Sequence, residues 1–262
     1  MMGNCALCGK YETLIDSHFM PAALYQELND PAGPIKNMIV ATRKGTFQSP
    51  EQFHMPLMCQ ACEIRFQQGG ENWVLAVRYR SNGSFPLRDS LQRTTPIESN
   101  GATSVFDARS ITGIEVDRLL YFAASIFWRA GIAHWTTKFA DAPKIDLRPE
   151  IMTKFAHYLL GNGAFPGETS LNVCVASDAQ PQRIMISPIK AQETPFVRYE
   201  AHIPGMMFEL FIDAGPTYDT WSLNNVPERI MLTDMVTKRV LGVAGVIIPA
   251  SEPKGSLKKH LP

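Results

Sequence analysis

No stretch of this chain reaches the ~18 consecutive apolar residues of a membrane-spanning helix, so no membrane partner is expected. Neither charge is in excess: 25 Lys and Arg balance 25 Asp and Glu, for a formal net charge of zero. Proteins that coat nucleic acid through charge alone carry a basic surplus, which counts against that class while leaving room for a local basic patch. The opening residues Met1-Met2-Gly3-Asn4-Cys5 lack both the basic start and the apolar core of a signal peptide, so the expected location is the reducing cytoplasm. A Gly-rich phosphate loop, a Gly-x-Ser-x-Gly elbow and an internal repeat are all missing. Their absence speaks against phosphate-loop enzymes, serine hydrolases of the elbow type and solenoids. Cysteine is scarce, with five in 262 residues. In a reducing compartment, clustered pairs of cysteines mean metal more often than disulfide.

What is present describes a globular chain. Apolar residues make up 45% and charged residues 19%, enough for a proper core in one large domain or two small ones. The fold class expected is α+β: an N-terminal zinc-bound finger, central helices and a C-terminal antiparallel sheet. A soft boundary near the polar stretch 84–113 divides the chain into 1–83 and 84–262. Thr13-Leu14-Ile15 reads as a short strand that Pro21 stops, Ala22 to Leu28 as a short helix, and Met38 to Ala41 as a strand in a loop-like insert. Residues 59–80 read as knuckle into helix, with a kink or a division into two helices at Gly69-Gly70. Ile114 to Trp135 is the strongest helix, apolar nearly all round from Leu119 to Trp128 and therefore a core element. Arg148 to Leu160 is a second, stopped by Gly161-Asn162-Gly163. Beyond Pro166 the pattern alternates with a period of two over 171–176, 183–187, 196–201 and 206–212, with further strands expected at 230–232 and 240–248. Cys174 falls in one of these as a buried strand residue. The basic tail 254–262 reads as disordered.

Chemistry concentrates at the N-terminus. Cys5-Ala-Leu-Cys8 and Cys59-Gln-Ala-Cys62 are two Cys-x-x-Cys knuckles separated by fifty residues. Each places two thiolates on one tight turn, and together they complete a tetrahedral zinc shell. Such a closed site is structural. Between the pairs lies Asp16-Ser17-His18-Phe19-Met20-Pro21, and directly after the second comes Glu63.

The order Cys-x-x-Cys, strand, Ser-His-x-x-Pro, then Leu-x-Cys-x-x-Cys followed by an acid resembles the HNH (His-Me finger, treble-clef) endonucleases with zinc knuckles. Within that group it is similar to uncharacterised bacterial HNH-like proteins bearing Ser-His-x-x-Pro and Cys-x-x-Cys-Glu. The resemblance covers residues 5–75. It implies a ββα-metal finger in which His18 is the general base that takes a proton from the attacking water. The base-orienting position falls on His54. The residue before the base holds a divalent metal in the family, a position occupied here by Ser17. The helix ligand after the second knuckle is Glu63. A further helix ligand would fall at Gln67 or, on chemistry, at Glu71. Carboxylates at these places suit Mg²⁺ or Mn²⁺. Asp16 alternates with Ser17 along the strand and points to the other face.

The plain structural readings stand beside these. His18 could be a packed histidine behind the Pro turn, His54 a loop residue, and Glu63 an acid in the favourable first turn of a helix. Arg43 and Lys44, in the insert, are the candidate nucleic-acid contacts. Arg78, Arg80, Arg88 and Arg93 could line a phosphate path, but read better as a solvated face. Trp73, Phe127, Trp128 and Trp135 read as core. Two functions follow. One is an HNH-like metal-dependent nuclease acting on DNA or RNA, in phage defence or a mobile element. The other is a catalytically inactive zinc-finger scaffold that binds nucleic acid or a protein. A protein partner, or a second copy joined through the C-terminal sheet, is compatible with both.

Overall fold

The computed structural model describes every residue except 30–38, 43–44, 50, 139, 179–183, 193–195, 214–221 and 251–262. For 39, 41–42, 45–47, 192 and 247–250 it describes the backbone alone. In chain order the elements are β1 (Met2–Asn4), β2 (Tyr11–His18), α1 (Ala22–Leu28), β3 (Ile39–Thr42), β4 (Gly45–Gln48), β5 (His54–Cys59), α2 (Gln60–Phe66) and α3 (Asn72–Val77). There follow α4 (Pro86–Gln92), β6 (Glu98–Ser99), β7 (Thr103–Asp107), α5 (Val116–Ile132), α6 (Pro149–Leu159), β8 (Thr169–Ala176), β9 (Ile186–Gln192), β10 (Val197–Ile203), β11 (Met206–Ile212), β12 (Arg229–Thr233) and α7 (Met235–Ala250). The architecture is α+β. A three-stranded sheet, β1-β2-β5, forms the N-terminal unit, β3 and β4 form a hairpin, and a seven-stranded sheet runs in the order β6-β7-β12-β8-β11-β10-β9.

Three expectations change. The C-terminal sheet is mixed, because β12 runs parallel to β8 while antiparallel to β7. The polar stretch 84–113, read as irregular, is ordered: it supplies α4 and the strands β6 and β7, held by the pairing of β7 with β12 and of β6 with β7 in place of the apolar alternation that would have marked them. The run Val240 to Ile248 is part of helix α7, with Val236 and Val240 buried. A run of β-branched residues fits a strand or a packed helix, and tertiary packing decides between them. Arg43, Lys44 and the tail 254–262 lie outside the described residues.

The large sheet has two unlike faces. Leu171, Val173, Phe208 and Leu210 pack toward α5, where the Phe122 and Phe208 rings lie 5.3 Å apart. The opposite face carries Asn172, Cys174, Glu200, His202 and Glu209, all buried, with Arg239 of α7 3.9 Å from Glu200. One continuous apolar cluster joins residues on both sides of position 84, from Cys5 to Val236.

Helix α5 is the spine of that cluster, and it lies hard against the segment after the second cysteine pair. That segment does not break at Gly69-Gly70. A π-helical turn, Gln67–Glu71, joins α2 to α3. The glycines permit the close approach. A Cβ on Gly69 would sit 2.5 Å from the Tyr121 ring, and one on Gly70 would sit 2.6 Å from the Arg118 carbonyl oxygen and 2.7 Å from the Phe122 nitrogen. Backbone cannot yield as a flexible side chain can. Gly70→Ala should therefore lose about 1–3 kcal/mol, a thermal midpoint roughly 2–12 °C lower. Gly167→Ala, where a Cβ meets nothing within 4 Å, should be near neutral in the same melt.

Candidate functional site

The four cysteines converge. Cys59 ends β5 and Cys62 sits in the first turn of α2. The Cys5–Cys8 loop is a tight turn closed by the Gly9 N–H to the Cys5 carbonyl and the Cys5 N–H to the Lys10 carbonyl, both 2.9 Å. It is pinned to β5 by the Ala6 N–H donating to Leu57 O at 3.0 Å. Gly9 takes the left-handed conformation this turn requires, with φ of 73°. All four sulfurs lie within 4.8 Å of one another, and Cys8 and Cys59 are 3.9 Å apart. Tetrahedral metal–sulfur bonds of about 2.3 Å set sulfur separations of about 3.8 Å, so the cluster can hold a metal ion such as zinc. With only thiols for neighbours the charges would be badly placed. Burial opposes ionisation of Cys5, but backbone N–H groups of Cys8, Cys59 and Leu7 outweigh it and bring the thiol down to about 7. Burial pushes Cys59 and Cys62 up. Four thiolates in this space need a cation.

Behind the cysteines lies an acid–arginine–acid cluster. Arg129, from the middle of α5 and 1% exposed, places its Nη1 2.6 Å from Glu71 Oε1 and its Nη2 3.4 Å from Glu63 Oε2. Its guanidinium lies over the Phe66 ring, 4.6 Å from the centroid, a cation–π contact. The Arg129 carbonyl accepts the Trp135 indole N–H at 2.8 Å. Burial pushes the Glu63 carboxyl up, against the pull of Arg129 and the Ser17 hydroxyl, and Glu71 adds to the push. So the two acids expected to meet a divalent ion share a protein cation instead. Gln67, the weaker candidate, is exposed.

The β2–β5 ladder carries the rest. A register shift between Ile15 and Asp16 is accommodated by Ser17, which is fully buried and whose Oγ accepts the Met58 N–H at 3.2 Å. His18 stands directly opposite His54 in the ladder, ring centroids 5.6 Å apart and tilted by 37°. His54 Nδ1 is 3.7 Å from Asp16 Oδ2 on the exposed side. The next residues lock this end: the Phe19 N–H donates to Phe53 O at 2.8 Å, and the Phe19 ring packs on Trp135 at 5.3 Å. His18 is half-buried. Burial, then the His54 and Arg129 charges, hold its imidazole below the ordinary 6.5, with Asp16 and Glu71 pulling the other way. The Ser-His-x-x-Pro strand, the second-knuckle helix and α5 thus meet at one place.

Comparison with family models, with curated proteins and with solved structures finds no match to this chain. The site is therefore read from its own geometry.

Among the remaining candidates, Arg78 and Arg88 are not on a solvated face. Arg78 is buried, donates to the Tyr79 carbonyl and pairs with Glu27; Arg88 donates to the Asp178 carbonyl at 2.6 Å and lies over Phe85. They are anchors, because a buried guanidinium needs carbonyls and carboxylates around it. Arg93 is exposed. Phe127, Trp128 and Trp135 are core and Trp73 is partly buried. Arg129 was not singled out by sequence. Its signal was a lone Arg inside the otherwise apolar run 119–130 of a core helix, a placement that demands acidic partners.

Arg129→Met should leave two carboxyls buried without their cation and destabilise the fold by about 3–5 kcal/mol in urea titrations. Arg129→Lys should recover part of that only, since a single ammonium cannot fork to two acids. His18 should titrate below 6.5 by NMR. Its folded value lies under its unfolded one, so its stabilising contribution is complete above pH 6.5 and is lost as pH falls through the folded value. His18→Gln should remove that part of the pH–stability slope.

Proposed function

We propose that this is an HNH-like, zinc-held finger protein that acts on nucleic acid at the edge carrying His18. The observation that supports the reading is the place of His18, at the end of a strand paired with β5, which runs through the second cysteine pair into the helix of Glu63, itself joined to Glu71 by Arg129. Zinc at Cys5, Cys8, Cys59 and Cys62 would fix the turn, the strand and the helix in a treble-clef arrangement, a structural role that leaves no open coordination position. A neutral His18 is suited to accept a proton at physiological pH.

The divalent ion of the metal-dependent reading does not fit the side chains as they stand. Ser17 is engaged by the Met58 N–H, and Arg129 already supplies the positive charge between Glu63 and Glu71. No step is assigned to Mg²⁺ or Mn²⁺. The same observation favours the second reading, a scaffold that binds nucleic acid or a protein without cutting.

Metal analysis should return one zinc per chain, and chelation should lower the thermal midpoint. Plasmid DNA and RNA incubated with and without Mg²⁺ or Mn²⁺ separate the readings. Cleavage that His18→Ala reduces roughly 100-fold or more is the expected result. Binding without cleavage under every condition would favour the scaffold, and cleavage indifferent to His18→Ala would remove His18 from the chemistry.

A further inference from the structure

We propose that His18 and His54 form an acid–base pair that cleaves RNA by transfer of the phosphodiester to the adjacent 2′-hydroxyl, with no divalent ion. This rests on the reading of the chain as acting on nucleic acid, and it names RNA as the substrate class.

The argument begins with the ladder. Cross-strand pairing sets the two imidazoles opposite each other across β2 and β5, 5.6 Å between centroids and tilted by 37°, a separation set by backbone hydrogen bonds. Phe19 and Phe53, one residue beyond, meet edge to face at 6.4 Å and anchor that end of the hairpin to Trp135. The pair is therefore mounted on a rigid element, as acid–base chemistry requires. Its members differ in surroundings. His18 is half-buried, and the groups around it are His54 and Asp16 from the ladder, Arg129 from α5 and Glu71 from the π-helical turn; their sum with burial keeps its imidazole neutral more readily than a free one. His54 is half-exposed and has the Asp16 carboxylate 3.7 Å from Nδ1, which orients the ring and leaves Nε2 for a substrate. The two rings thus differ in access: one is half-enclosed by the fold and one is open to solvent.

RNA suits such a pair because it carries its own nucleophile. A nitrogen of His18 takes the 2′-hydroxyl proton. The 2′-oxygen forms a bond to phosphorus as the bond from phosphorus to the 5′-oxygen breaks, and that oxygen takes a proton from His54. The products are a 2′,3′-cyclic phosphate and a 5′-hydroxyl end. Solvent returns a proton to His54 and removes one from His18, so atoms and charge balance. No water need be activated by a metal, and Arg129 can remain between Glu63 and Glu71. DNA, lacking the 2′-hydroxyl, should be bound and left whole.

The test uses the zinc-loaded full chain in buffer stripped of other divalent ions, with a labelled single-stranded RNA and the DNA of the same sequence. Expected are RNA fragments ending in 2′,3′-cyclic phosphate, intact DNA, and resistance of RNA that carries 2′-O-methyl groups throughout. His18→Gln and His54→Gln should each slow cleavage roughly 100-fold or more while binding, read by fluorescence anisotropy, is kept. The 2′-O-methyl arm needs no protein variant, so it stands if a variant misfolds. RNA bound but uncut, RNA cut only after Mg²⁺ or Mn²⁺ is added, or DNA cut as readily as RNA would each overturn the acid–base pair while leaving the nucleic-acid reading in place. Binding of neither polymer would overturn that reading, and the pair with it.

Discussion

Arg129 is the group around which both halves of the molecule are arranged. It rises from the middle of α5, the most deeply buried helix, and ends between two carboxyls of the segment that leaves the second cysteine pair. A guanidinium so far from water is tolerated only with acids on its donors, and those acids are tolerated only because it is there. The same requirement dictates its surroundings. Phe66 offers its ring face, Trp135 caps the helix carbonyl, and the paired glycines bring the two helices close enough for the contact. Cysteine cluster, β2–β5 hairpin and α5 are thereby linked: Cys62 is followed at once by Glu63, and Ser17 on the hairpin reaches the same carboxyl.

This constraint separates two parts of the candidate site that the sequence presents together. The inner part, Ser17, Glu63, Glu71 and Arg129, is closed and joined by ion pairs, with Glu63 Oε1 and Arg129 Nε buried without a hydrogen-bond partner. The outer part, His18, His54 and Asp16, lies along the β2–β5 ladder, with His54 and Asp16 open to solvent and His18 half-buried. The inner part is framework, and solvent reaches the candidate site at the outer part.

The cysteine cluster was fully legible in the sequence, because two Cys-x-x-Cys turns leave little freedom in what they can build. The short helix Ala22–Leu28, the core helix around 116–132 and the strands at 169–176 and 206–212 were legible because each is rich in apolar residues and bounded by turn or helix-stopping residues. The failures have physical causes. Thr103–Asp107 is too polar and too short to announce a strand, and it exists because β12 pairs with it. Val240 to Ile248 has strand-like residues but continues the helix that begins at Met235, whose buried side chains are Val236 and Val240. The pairing of Arg129 with Glu63 and Glu71 spans more than fifty residues, and no local pattern encodes which acid will meet a buried base.

The π-helical turn has a geometric consequence beyond close packing. Eight residues separate Glu63 from Glu71, and on a regular α-helix of ~3.6 residues per turn the second acid would point about 80° away from the first. A wider turn, closed by i→i+5 bonds, advances less per residue and brings the two carboxyls back into phase on one side of the rod. The turn thus acts as a vernier, one residue out of step with the helix on either side. The spacing between the acids is therefore not free to drift: losing Gln67 or Gln68 alone would keep both glycines and the cysteine pair nearby, yet rotate one of the two acids off the arginine that joins this segment to α5.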